Sequence, residues 1–285
     1  MQDQFQTQQA LQEVLNSNGL FPPHFNTGEL IRFAGANKND SNKAGYLFIF
    51  HDRRGAVYGD FSCNLHATWQ ANIGREYTRE EKKQFAIQQQ LAREAMARER
   101  AEKHHKGKLE AIRLFETTAP VTDALQHPYL IKKKIQAHNT RLMNTVLYVP
   151  IYDTSLELCS IQFIQADGKK SFLTGGKISG CFNVIGELKQ PTDKILICEG
   201  FATGASLHED TGDFTVCSFS ANNLESVAKT FKAFYPQARF IICGDNDASG
   251  VGQAAAEKAA NAIGCGFIVP EQAGMDFNDV FTMEG

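Results

Sequence analysis

Long apolar runs are missing from this 285-residue sequence, and so is any pair of cysteines spaced CxxC. No stretch approaches the roughly 20 apolar residues that a bilayer-spanning helix needs, so no membrane association is expected. The opening MQDQFQTQQALQEVL has neither the basic start nor the apolar core of a secretory signal, which points to a cytoplasmic protein. Without CxxC there is no framework for a zinc ribbon, and no structural zinc is expected. Cys63 and His66 are close in sequence, but two ligands do not complete a tetrahedral site. The seven cysteines are odd in number and scattered. Cys159, Cys198, Cys217 and Cys243 lie in apolar runs and read as small buried hydrophobes of a reducing compartment. Internal repeats and low-complexity tracts are absent as well.

What is present is a chain long enough for one large or two ordinary domains, with 42% hydrophobic and 21% charged residues, as in an ordinary globular protein. The net charge of −3 hides an asymmetry. Residues 1–134 hold 19 Lys and Arg against 15 Asp and Glu, whereas residues 135–285 hold 10 against 17. A basic front and an acidic back suit a protein that touches phosphate with one half and holds cations with the other, although ordinary scatter would look the same.

Four segments are expected. Residues 1–75 read as a small α+β unit: a helix over 6–17, strands over 46–50 and 56–61 joined by a turn at 52–55, and Trp69 in the core. Residues 76–118 contain no proline and one glycine, Gly107. They read as a long charged helical connector, single or broken near Gly107, with Thr78 and Glu81 as its capping box. Its basic residues read first as a solvated face and second as a grip on nucleic acid. Residues 119–190 form a mixed α+β basic subdomain with strands over 146–152 and 158–165, the glycine-rich GKKSFLTGGK at 168–177, and a further strand over 181–185. Residues 191–285 alternate strand and helix: strands at 195–198, 214–218, 239–243 and 267–269, and helices at 202–211, 224–235 and 251–263. Short, fully apolar strands bracketed by helices predict a parallel sheet with helices on both faces.

Ligands of such sheets gather beyond the carboxyl ends of the strands, and the acids stand there. Glu199-Gly200 follows ILIC. Asp245-Asn246-Asp247 follows FIIC and Gly244. Asp276 and Asp279, in MDFND, come soon after the last strand. Like charges brought to one sheet edge repel, and a divalent cation removes the conflict. Mg²⁺ takes oxygen ligands, keeps waters and accepts substrate phosphate. One acid at a strand end is commonly a cap or a surface residue; three acidic motifs in order point to metal chemistry on phosphate.

Glu199-Gly200, Asp245-x-Asp247 and Asp276-x-Asn278-Asp279 together resemble the TOPRIM domain shared by bacterial-type primases, topoisomerases and some nucleases. ICEGFATGASLHEDTG, FSANNL, IICGDNDASGVGQAAAEKAA and MDFND are closest to primases of the phage and plasmid (mobile-element) type. The resemblance covers about residues 120–285. It implies Glu199, Asp245 and Asp247 as catalytic acids, and these three with Asp276 and, less securely, Asp279 as metal ligands. The upstream VPIYD…IQFIQADGKKSFLTGGK resembles the basic subdomain that precedes TOPRIM in those enzymes. On that match Lys170, in KSFL, faces nucleotide or template. Lys177 is a second candidate by proximity, and Arg141 is a third for the template. Two positions depart from the family: Thr203 replaces an Asp four residues after the first Glu, and Thr145, not an Arg, stands just before the 146–152 strand. The family's zinc module is not seen and no helicase P-loop follows, while the stop soon after Asp279 suggests further sequence downstream.

The resemblance implies a DNA primase, a DNA-directed RNA polymerase that joins ribonucleoside triphosphates on a single-stranded DNA template. It implies one to three Mg²⁺ or Mn²⁺ ions and a replicative helicase as partner. Two other readings stay open. One is a TOPRIM metal-dependent nuclease using the same acids. The other is a non-catalytic nucleic-acid-binding adaptor, which would be indifferent to Asp245→Ala.

Overall fold

The computed structural model of the chain describes residues 2–191 and 193–284. It divides into two compact units, Met1–Glu102 and Lys103–Gly285.

In the first unit, helix α1 (Gln2–Ser17) and the start of helix α2 (Arg79–Glu116) accompany an antiparallel sheet. Its strands β1 (Leu30–Phe33), β2 (Gly45–Ile49), β3 (Gly55–Asp60) and β4 (Leu65–Gln70) run in that order. Side chains of a strand alternate between faces, and β2 is buried on both. Leu47 and Ile49 join Leu11 and Leu15 of α1 in one cluster, whereas Phe48 and Phe50 join Phe85 and Ala92 of α2 in another. The hairpin β2–β3 is the one expected; β1 and β4 extend it on either side. Trp69 packs against the α1-side core, half-buried.

Helix α2 begins with the predicted box: the amide of Thr78 donates to Glu81 Oε2 at 2.8 Å, and the amide of Glu81 donates to Thr78 Oγ1 at 3.2 Å. The helix passes through Gly107 without a break. That glycine is a contact point. A Cβ there would lie 2.4 Å from the carbonyl carbon and oxygen of Gly175, so the glycine-rich stretch lies against the helix backbone.

In the second unit, residues Ala111, Leu114 and Phe115 of α2 pack on Tyr148 and Ile161 of an antiparallel sheet. Its order is β5 (Ala119–Pro120), β6 (Arg141–Met143), β7 (Val146–Tyr152), β8 (Leu158–Gln165) and β9 (Lys170–Phe172). Helix α3 (Pro128–Lys133) lies between β5 and β6 in sequence. The chain continues through β10 (Asn183–Ile185), β11 (Lys194–Cys198), α4 (Phe201–Thr211), β12 (Phe214–Cys217), α5 (Ala221–Phe234), β13 (Arg239–Cys243), α6 (Val251–Ile263), β14 (Gly266–Ile268) and α7 (Phe277–Glu284).

The second sheet has the order β10-β12-β11-β13-β14. Its four later strands are mutually parallel, but β10 joins the edge antiparallel, Asn183 opposite Cys217. The four strands expected to be parallel are so; the strand expected over 181–185 in the preceding subdomain joins them as an antiparallel edge, because an edge strand needs no crossover helix and can run either way. Helices cover both faces. Ile195 and Ile197 cluster with Leu224, Val227 and Ala256 of α5 and α6; Leu196 and Cys198 cluster with Phe201 and Ala205 of α4 and with Phe277 of α7. The four cysteines expected inside, Cys159, Cys198, Cys217 and Cys243, are buried. Among the described residues no helix is long and apolar enough to cross a membrane.

Candidate active site

Strands β11 and β13 are neighbours, with Cys198 opposite Cys243. Glu199 and Gly244-Asp245 therefore leave adjacent strands at the same level, where parallel strands lie about 4.8 Å apart. The third acid arrives by a different device. Asn246 donates its amide to the carbonyl of Met275 at 3.0 Å, and its carbonyl accepts from the amide of Gly274. Its Nδ2 donates to the carbonyl of Pro270 at 2.9 Å, and its Oδ1 accepts from Gln253 Nε2 at 2.6 Å. The variable position of DxD is thus the clasp between the 245–247 and 270–276 loops.

Glu199, Asp245 and Asp276 line one open cavity of about 280 Å³, together with Gly200, Ala202 and Thr203 from the start of α4. Tyr129, Lys132, Lys133, Asp167, Gly168 and Lys170 close it from the other sheet's side. Asp245 Oδ1 is buried without a hydrogen-bond partner among the described residues. Burial first, then the charges of Glu199 and Asp276, push the Asp245 carboxyl up to about 7, against a smaller lowering by Lys170. Glu199 is raised as well, by burial and then by Asp247.

Asp247 is in a different condition. Its Oδ1 accepts from the amide and hydroxyl of Ser249, and its Oδ2 accepts from the amide of Gly252 at 2.8 Å. These bonds hold it below the usual carboxylate range. Gly252 is required there, since a Cβ would sit 2.6 Å from the carbonyl oxygen of Asp245 and 2.9 Å from Asp247 Oδ2. Asp247 does not line the cavity, although its charge is felt by Glu199 and Asp245.

Asp276 and Asp279 cap α7 reciprocally: the amide of Asp279 donates to Asp276 Oδ1 at 2.8 Å, and the amide of Asp276 donates to Asp279 Oδ2 at 3.3 Å. Asp279 Oδ1 also meets Lys133 Nζ at 3.1 Å. Between them Asn278 is fully buried and donates from Nδ2 to the carbonyl of Lys133 and to Ser206 Oγ. The MDFND segment thereby fastens α7 to α3 and α4. Among the described residues, no three Asp, Glu, His or Cys side chains are close enough as they stand to hold a metal ion.

Of the predicted basic residues, Lys170 lies in the cavity wall, its ammonium 5.7 Å from the centre of the Tyr129 ring. Lys177 and Arg141 are not among the lining residues. The Arg141 Nη1 donates to the carbonyls of Phe115 and Thr118, both at 2.9 Å, and its guanidinium lies over the Phe115 ring, which fastens the carboxyl end of α2. Tyr129, Lys132, Lys133 and Asp167 were missed in the sequence. The run of three lysines in HPYLIKKK was the available signal, and only the fold carries it to the acids.

Residues 194–285 match the family described as Toprim domain. DNA primase TraC of Escherichia coli is 31% identical over 245 residues, which is 81% of this chain and 22% of the relative. A second Escherichia coli protein of that name is 36% identical over 155 residues, 50% of this chain and 11% of the relative. This chain thus spans about a fifth or less of the length of these curated relatives. Among solved structures, the primase fragment of the bacteriophage T7 primase-helicase protein aligns with 90% of this chain and 95% of its own, at a TM-score of 0.44 and 13% identity.

Proposed function

From the premise that residues 194–285 are a Toprim domain in a relative of TraC primases, we propose that this chain is a DNA primase of the mobile-element type. It would make short RNA primers on single-stranded DNA from ribonucleoside triphosphates, working beside a replicative helicase. The observation that carries the reading is the cavity itself: Glu199, Asp245 and Asp276 share it with Lys132, Lys133 and Lys170. Acids that attract a cation and lysines that attract phosphate are the two halves of a nucleotidyl-transfer site.

The residues fit a divalent cation. A carboxyl oxygen buried without a partner is costly to ionise, and Asp245 Oδ1 is one. Mg²⁺ is satisfied by one or two carboxylates plus water and phosphate, so it needs no ready-made cage of three side chains. Glu199 and Asp245 would hold the first Mg²⁺ or Mn²⁺, with Asp276 beside them; Asp247, and less directly Asp279, would serve any further ion. Once bound, the cation supplies Lewis-acid activation of the attacking 3′-hydroxyl and offsets charge on the phosphate. The chain's own groups do the rest. Lys170, Lys132 and Lys133 neutralise triphosphate as point charges. The amides at the start of α4 point the positive end of a helix dipole toward the same space. Lys177 and Arg141 would serve the template at the margin.

The test offers the protein single-stranded DNA, four ribonucleoside triphosphates and Mg²⁺ or Mn²⁺. New short RNA, lost with Asp245→Ala, is the expected result. DNA shortened in the absence of nucleotides would identify a nuclease instead.

A further inference from the structure

We propose that Tyr129 is the positioning residue for Lys170, its ring a fixed platform that holds the lysine ammonium toward the triphosphate in the cavity. This rests on the primase reading above. Lys170 is exposed on β9, and a free, long lysine side chain gives up rotamer entropy when it is fixed. A side chain already resting against a ring face gives up less of it on binding.

The platform is built to stay still. Tyr129 is 3% exposed and belongs to the main core cluster with Leu130, Ile135 and Ile164. Its amide donates to His127 Nδ1 at 3.3 Å, and His127, fully buried, donates from Nε2 to the carbonyl of Thr145 at 3.1 Å. The Nε2 donation leaves Nδ1 as the acceptor, so one imidazole tautomer satisfies both bonds. The Tyr129 hydroxyl, by contrast, is buried without a hydrogen-bond partner among the described residues. The ring carries the Lys170 ammonium 5.7 Å from its centre, within the range in which an aromatic face attracts a cation. The ring face, and not the hydroxyl, is what this geometry uses.

The experiment measures equilibrium binding of a fluorescent ATP analogue with Mg²⁺ to the full chain, alongside primer synthesis and thermal unfolding. Tyr129→Phe keeps the ring and should bind within about twofold of wild type, with unchanged unfolding. Tyr129→Met, with Tyr129→Leu as a second apolar replacement, should weaken binding about fivefold, acting on KM more than on kcat. Added to Lys170→Ala, Tyr129→Met should cost nothing more, because the platform then has nothing to hold. Equal loss with Tyr129→Phe, additive loss in the double variant, or undiminished binding in the folded Met variant would overturn the role. If wild type binds the analogue but makes no RNA, the primase reading fails while the binding series still decides the role of Tyr129. If wild type binds no triphosphate, both fall.

Discussion

Asn246 is bound to Met275 backbone to backbone at 3.0 Å, and this bond sets the loop of Asp245 beside the loop of Asp276. The Asn246 side chain adds two more bonds, to Pro270 and Gln253. Asn246→Ala should cost about 1–3 kcal/mol of stability, because partly buried partners lose their bonds. It should cost primer synthesis about tenfold, because acids misplaced by a fraction of an ångström no longer act together. Urea unfolding and priming rate on the same preparation check both.

Asp245, raised to about 7 mainly by burial, gives the fold a pH dependence of definite sign. In the unfolded chain an Asp loses its proton near pH 4, whereas in the folded protein this one keeps it until about 7. Its contribution to stability is therefore fully present below about pH 4 and is lost as pH rises toward and through 7. Asp245→Asn should flatten that part of the stability profile and raise the thermal midpoint at pH 8. Thermal unfolding across pH 4 to 8 without divalent ions is the measurement; parallel profiles for the two proteins would count against it.

Gly107 sets two effects against each other. In an exposed helix Gly→Ala gains about 1 kcal/mol of helix propensity. Here the new methyl carbon would lie 2.4 Å from the Gly175 backbone, which cannot rotate out of the way. Overpacking of this kind costs about 1–3 kcal/mol, so Gly107→Ala should be destabilising on balance. Denaturant unfolding decides the sign.

The parts of this molecule that could be read from its sequence are those fixed by local pattern. Apolar runs such as Ile195–Ile197 mark central strands, and an acid straight after such a run marks the ligand edge of the sheet. Thr78 and Glu81 announced the start of α2, since both halves of a capping box lie within four residues. What escaped depends on distant segments. Strand β10 reads as a strand but not as the antiparallel edge, which only its pairing with β12 decides. The glycines at 175 and 176 sit in a lysine-rich segment, yet Gly175 faces the backbone of α2. Tyr129, Lys132 and Lys133 lie between 66 and 70 residues before Glu199 and reach the cavity only because the first sheet of the second unit packs into the same core as the sheet that carries Glu199.

On the proposed reading, Glu199 and Asp245 share a divalent cation. Calorimetric titration of the protein with Mn²⁺ between pH 6 and 8 addresses it directly. Binding should strengthen with pH and release a proton as Asp245 ionises, and should weaken at least about tenfold in Asp245→Ala and in Glu199→Ala alike. Mn²⁺ affinity that is independent of pH and unchanged in both variants would contradict it.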